Sequence, residues 1–252
     1  DEVIPSLYQS ISAGVPKDSV FEFLEVSTKA ARGGLTDLSV AVDGISSVIN
    51  SYGSEIISAT EASDLMFTAV KLGKTDFNQL STELYKVAPI AASLGIDFGA
   101  VTASLANLTA KGVPTAQAAT QLKAAFAELG KEGTKADKAF RELSGKSLTD
   151  FLKGGGKFED ALIMMKEGAD KAGVSVLDMM SSIEAGQAIL ALTADGGDAL
   201  NATMEEMSNA AGATDAAFQT MDSSMSASFD KIKANLSVMA IETGERIAPI
   251  VA

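Results

Sequence analysis

The 252-residue chain contains no cysteine and no histidine. Without cysteine it forms neither a disulfide nor a thiolate metal site. Without histidine it lacks the most common general base and the most common metal ligand of proteins. An active site would have to rest on Asp, Glu, Ser, Lys or Tyr alone, and no G-x-S-x-G motif is present. We therefore predict that the chain is not an enzyme and has no catalytic, cofactor-binding or metal-binding residues.

Basic residues are also scarce. The chain has 20 Lys and Arg against 33 Asp and Glu, a net charge of −13. Nucleic-acid surfaces need clustered Lys and Arg, so we predict no direct nucleic-acid binding. No run of about 18 apolar residues is present, and the start of the chain lacks a signal pattern. Because it begins without Met and ends within the apolar sequence IAPIVA, we expect a segment of a longer protein.

The apolar residues that are present are mostly small. Hydrophobic residues make up 46% of the chain, yet Trp is absent and Tyr and Phe number only 3 and 11. An alanine-rich composition with few aromatic or β-branched runs favours closely packed helices over sheets. We predict an all-α protein, in which helical hairpins pack as a bundle and a long amphipathic, coiled-coil-like helix follows at the C-terminal end.

The clearest hairpin pattern lies in residues 85–129, where two turns, 94–97 and 111–114, separate three helical patterns. Asp97 stands where a helix N-cap belongs and Gly112 just after a helix end. Between the turns, apolar residues recur every three or four positions, which predicts a helix with a buried face. The residues of this face are Phe98, Val101, Leu105 and Leu108.

Similar patterns run along the rest of the chain. The helix that begins at Phe77 is expected to break near Val87, because Pro89 removes a backbone hydrogen bond. Gly186 is expected to bend the helix over 176–192. Ser58 or Thr60 is expected to cap another helix, and Asp198 a later one. The helices predicted outside the central stretch cover residues 3–11, 19–32, 36–52, 59–72, 158–171, 176–192 and 198–211. The face predicted for residues 19–32 consists of Val20, Phe21, Leu24, Ser27 and Ala31.

These patterns predict three parts: a helical hairpin bundle over 1–131, a second helical subdomain over 132–212 and a long helix over 213–252. The spacing of residues 36–48 recurs about 60 positions later, which indicates a duplicated hairpin. The alternative is that two amphipathic hairpins resemble each other by hairpin physics alone.

From Thr214 onward the pattern is long and uninterrupted. Its seam positions recur at spacings of 3, 4, 4, 3, 4, 3 and 4, close to a heptad seam. The seam begins a coiled coil in one interpretation and marks a long helix lying on the preceding bundle in the other. Its residues are Phe218, Met221, Met225, Phe229, Ile232, Leu236, Met239 and Thr243.

Three features suggest chemistry but lack the residues it needs. The triple glycine 154–156 has no Gly-Lys-Ser/Thr sequence and no preceding strand, so we interpret it as a turn rather than a phosphate loop. Residues 195–198 lack the spaced acids of a calcium loop and fit a turn with a helix cap. Adjacent acids such as Glu159–Asp160 and Glu205–Glu206 diverge by about 100° on a helix and do not share one site.

Several segments together resemble a known family. These are VAPIAASLG, then TAKGVPTAQAATQLKAAFAEL, then residues 182–188, 209–214 and 240–249. Their order and spacing over some 230 residues resemble the conserved region of phage tail tape measure proteins of the lactococcal TP901 type. Proteins of that family are far longer than this chain, and their coiled-coil and apolar parts are absent here.

The resemblance implies a virion structural protein made in the host cytoplasm. The parent protein would lie in the tail lumen, set tail length during tail assembly and leave on genome ejection. Implied partners are further copies of itself, the tail tube protein, tail tip and distal tail proteins and tail assembly chaperones. Membrane contact would belong only to parts of the parent that are not present here. Alternatives are a prophage-derived contractile injection device, a membrane-active helical protein and a peptidoglycan-cleaving insert.

Overall fold

The computed structural model describes residues 3–16 and 19–224, and these contain helices and no strand. The all-α prediction is confirmed. Residues 213–224 are helical, and most of the predicted heptad seam lies outside the described residues. The helices are α1 Val3–Ser12, α2 Val20–Gly33, α3 Leu38–Tyr52, α4 Ala59–Leu72, α5 Phe77–Leu94, α6 Phe98–Ala110, α7 Thr115–Gly130, α8 Lys135–Ser144, α9 Leu148–Lys153, α10 Phe158–Ala172, α11 Val176–Met179, α12 Ile183–Leu192 and α13 Asp198–Ser208.

Short polar side chains begin many of these helices. Ser58, Asp76, Asp97, Thr134 and Ser182 each accept a hydrogen bond from a backbone N–H in the first turn of the helix that follows. Each bond satisfies one of the donors that a helix start leaves unpaired. The caps predicted at Ser58 and Asp97 are confirmed.

Helix α6 forms the centre of the bundle. Its predicted face is buried, and so are the remaining residues from Ala100 to Thr109. The helix lies among α4, α7, α12 and α13. Among its polar side chains, Thr109 donates to the Leu105 carbonyl at 2.9 Å and Asn107 donates to Thr203 of α13 at 2.8 Å. The buried Ser104 hydroxyl has no hydrogen-bond partner among the described residues. The helix is therefore enclosed by neighbours on all sides rather than on one face.

Helix α5 is continuous from Phe77 to Leu94, so the break predicted at Pro89 is wrong. Pro89 removes one backbone hydrogen bond, but α5 packs between α3 and α7 along its length. Its contact with α3 is close, because a Cβ built on Gly44 would lie only 2.6 Å from the Ser81 Cβ. Packing on two sides is consistent with a helix that continues through Pro89 despite the lost bond.

Residues 176–192 form two helices, α11 and α12, rather than one helix bent at Gly186. The break lies at 180–182, where Ser182 caps the start of α12. Gly186 instead permits a close contact, because a Cβ there would meet the Leu177 Cδ2 at 2.6 Å. The glycine therefore packs α11 against α12, and the capping serine sets the break.

The predicted inner face of α2 is wrong at one position. Phe21 is 74% exposed, whereas Phe23 is 3% exposed and joins the core. Val20, Leu24, Ser27 and Ala31 are buried as predicted. The inner face follows the position of α3 and α4, which pack on α2, and the sequence pattern does not specify that position.

Candidate docking sites at helix ends

Asp64 of α4 holds the beginning of the helical segment 213–224. Its side chain is buried, and its carboxylate accepts hydrogen bonds from the Gly212 and Thr214 backbone N–H groups, each at 2.8 Å. The Ser63 and Thr214 hydroxyls also bond to each other at 2.8 Å. A helix start carries unpaired N–H groups and a partial positive charge. Asp64 therefore acts as an N-cap supplied by a different helix.

Helix α2 contributes two cations to the same segment. Lys29 pairs with Asp215 at 3.0 Å, and Arg32 pairs with Asp222 at 2.7 Å. The hydrogen bond to Asp215 raises the pKa of Lys29. These pairs are partly open to solvent, so they orient the segment more than they stabilise it.

The segment 213–224 lies very close to the end of α2 but buries few of its apolar side chains. A Cβ on Gly33 would lie 2.9 Å from the Phe218 backbone nitrogen, so glycine lets the segment lie directly on the end of α2. Within the segment 213–224, Thr214 alone has a buried side chain. A mainly apolar groove of about 740 Å³ stays open beside it. Polar contacts at its start therefore dock the segment. The groove walls include Phe67, Val70, Phe77, Ala213, Ala217 and Met221.

Glu128 of α7 similarly holds the two residues that precede α12, whose own cap is Ser182. Its buried carboxylate accepts hydrogen bonds from the Ser181 N–H and, at 3.0 Å, from the Ser182 N–H. At the other end of α12, Lys111 donates to the Ala191 carbonyl. The two helices are therefore antiparallel, and each end of α12 faces a charge of the sign that its dipole favours.

These two sites join the segments that carry the family resemblance. Residues 109–129 pack on the 182–192 segment, and residues 209–214 are held on α4. Sequence reasoning did not identify Asp64 or Glu128. The available signal was an acid within the apolar pattern of a helix, since a buried carboxylate needs partners.

The features that suggested chemistry have structural roles. Residues 154–156 form the turn between α9 and α10. The cap near α13 comes from Asp195, which accepts from the Gly197 and Ala199 N–H groups at 3.2 Å. Asp198 lies in the first turn and makes no cap, so that prediction is wrong. Within the described ranges, no cluster of three or more acidic side chains is placed to hold a metal ion. No helix in these ranges is long and apolar enough to cross a bilayer.

Glu159, at the start of α10, is a buried carboxylate of another kind. It is 6% exposed, and its Oε2 has no hydrogen-bond partner among the described residues. Burial raises the pKa of Glu159, and the charges of Asp160 and Asp97 raise it further. The folded protein therefore disfavours the ionised form.

We expect Glu159→Gln to stabilise the protein at pH 7 by about 1 kcal/mol, because it removes a poorly solvated charge. A folded pKa above the unfolded one means that stability is lost as pH rises through the folded pKa. The gain should therefore shrink as pH falls and be small near pH 4, below the ordinary glutamate pKa of 4.5, where Glu159 is mostly protonated in both states. Thermal melts between pH 4 and 8 measure this. The exposed Glu167→Gln on the same helix serves as the control, and an equal or absent gain at pH 7 contradicts the expectation.

Comparisons with known proteins agree with this architecture. The family model described as phage-related minor tail protein matches residues 1–178. The chain belongs to this family. Its members are phage tail proteins, so the chain is a structural component of a virion. Families of this kind are typically non-enzymatic. The matched residues include Asp64 and Glu128.

A curated relative extends the match almost to the end of the chain. A "Probable tape measure protein" of the Clostridium phage phiCD119 is 33% identical over 247 residues, which cover 94% of this chain and 26% of the relative. The chain thus spans about a quarter of that protein's length. No solved structure matches the chain.

Proposed function

We propose that this chain is the docking bundle of a phage tail tape measure protein. The parent protein sets tail length during assembly, lies in the tail lumen and leaves on genome ejection. The observation that carries the proposal is the 33% identity, over 94% of this chain, to a relative named as a tape measure protein. The resemblance of the quoted motifs points to the same function.

The fold favours docking over measuring. A single helix of 212 residues would extend about 320 Å at 1.5 Å per residue. Here the helices fold back on one another, and one core cluster includes residues from Val15 to Ala210. The division into 1–131, 132–212 and 213–252 remains part of the proposal. In it, the helical segment that begins at Ala213, held at its start by Asp64, leads from the bundle into the ruler.

The proposed partners are other tail components. Tail tube, tail tip and distal tail proteins, and tail assembly chaperones, would contact the bundle surface, and copies of the chain would contact each other. The net charge of −13 repels the DNA that passes through the same lumen. The bundle would therefore leave the genome path free of adhesion.

Deleting the codons for residues 1–212 from the tape measure gene tests this function. Electron microscopy of the resulting particles should show failed or aberrant tails, because the parent loses its docking bundle. A phage with the same codons replaced by synonymous ones is the control for expression effects. Intact tails shortened by about 320 Å would instead make the segment part of the ruler. Normal tails of unchanged length would overturn the assignment.

A further inference from the structure

Helix α1 lies on the bundle with three large apolar side chains facing outward. Ile4 and Tyr8 are 79% and 76% exposed, whereas Ser6 and Ser10 are 3% and 0% exposed. Ile11 is also exposed and continues the row, since positions i, i+4 and i+7 share one helix face. A surface helix normally buries its apolar stripe. The outward stripe of Ile4, Tyr8 and Ile11 is therefore a surface that needs a partner.

Polar contacts and the partly buried Leu7, which packs against the core, hold α1 in this orientation. The Asn50 side chain of α3 donates to the Ala13 carbonyl at 2.6 Å, and Gln9 donates to the Ser39 carbonyl at 3.4 Å. The Ser10 hydroxyl donates to the Ser6 carbonyl of its own helix at 2.7 Å, so its burial costs little. Both contacts to α3 lie in or just after the C-terminal half of α1, and the buried serines are small enough to let the helix lie close to the bundle.

The charge distribution indicates what covers the stripe. Helix α1 has the sequence VIPSLYQSIS and contains no charged residue, in a chain of net charge −13. A second copy has the same net charge, so its approach to an acidic part of the surface is opposed. The stripe offers a second copy apolar contact without local charge repulsion.

The positions of the stripe residues along α1 also suit contact with a second copy. Ile4 and Ile11 stand four residues before and three residues after Tyr8, so the stripe is nearly symmetric about Tyr8. In an antiparallel pair with a two-fold axis, each patch meets its own copy. We propose that α1 is a self-association surface, in which two chains pack α1 against α1 with the Tyr8 side chains at the centre. The contact itself is argued from α1 alone, whereas its effect within the parent protein rests on the proposed function.

The contact is small. The stripe covers seven residue steps, about 10 Å of helix, so the buried area falls below the 1,200–2,000 Å² or so of stable complexes. We therefore expect weak association of the separate chain. It becomes effective where other parts of the parent protein hold copies together, because linkage raises the effective concentration.

Single cysteines provide a sensitive test, because the chain has none of its own. Tyr8→Cys should form a disulfide-linked dimer under mild oxidation at least about tenfold faster than Tyr85→Cys at the same concentration, since disulfides need Cα atoms within about 7 Å. Tyr85 lies on α5, is 61% exposed and serves as the matched control. Equal rates for the two variants overturn the proposal.

Sedimentation equilibrium of the cysteine-free chain provides a second measurement. Tyr8→Glu places two like charges at the centre of the contact and should weaken self-association at least about tenfold, whereas Tyr85→Glu should not change it. Unchanged circular dichroism spectra show that both variants are folded. A chain that stays monomeric up to millimolar concentration, or a dimer unaffected by Tyr8→Glu, contradicts the α1 contact.

Discussion

Leu105→Asp is expected to abolish cooperative folding. Leu105 is 0% exposed at the centre of α6, which neighbouring helices enclose. The change removes the burial of a leucine, about 2–5 kcal/mol, and adds an unpaired carboxylate whose desolvation costs about several kcal/mol more. Domains are stable by only about 5–15 kcal/mol. Thermal melts followed by far-ultraviolet circular dichroism should show no cooperative transition.

Ile56→Asp is the matched control for this result. Ile56 is 72% exposed, so the same chemical change should shift the melting temperature by a few degrees at most, because surface changes usually stay within about 0.5 kcal/mol. A Leu105→Asp melt that resembles the parent's would mean that α6 does not lie at the centre of the core.

Asp64→Ala is expected to release the helical segment 213–224 from the bundle. The buried carboxylate accepts from the Gly212 and Thr214 N–H groups, and bonds to charged groups contribute about 1.5–3 kcal/mol each. A loss of about 3 kcal/mol corresponds to roughly a 100-fold larger equilibrium constant for opening of the segment. Hydrogen exchange measured by mass spectrometry on peptides covering 209–224 should show this loss of protection.

Two variants accompany Asp64→Ala. Glu61→Ala removes an exposed acid from the first turn of the same helix and should leave exchange in 209–224 unchanged. Asp64→Asn keeps one acceptor oxygen and should lose part of the protection. If Asp64→Ala exchanges like the parent in these peptides, the carboxylate does not dock the segment.

Local interactions made part of this protein predictable. Helix starts at Ser58 and Asp97 follow from side chains that bond to nearby N–H groups, and such bonds depend only on the adjoining residues. The buried row from Phe98 to Leu108 follows from helical periodicity. The resemblance of the quoted motifs led to the family that the comparisons then showed.

Where a residue's role depends on distant neighbours, sequence reasoning was wrong or silent. Pro89 does not break α5, which α3 and α7 flank. Phe21 faces outward because neighbouring helices cover the Phe23 side. Asp64 resembles any helical acid until Gly212 and Thr214, about 150 positions later, are placed against it. Contacts between such distant residues depend on how the helices pack together, and the periodicity of the sequence does not determine that packing.

The sequence by itself therefore determined the all-α class, many helix ends and the family, because capping, periodicity and motif order are properties of neighbouring residues. Only the tertiary structure decided that α6 is enclosed, that Asp64 and Glu128 hold the starts of later helices and that α1 turns three large apolar side chains outward. Each of these depends on which surfaces meet, and burial and long-range hydrogen bonds exist only once the helices have packed.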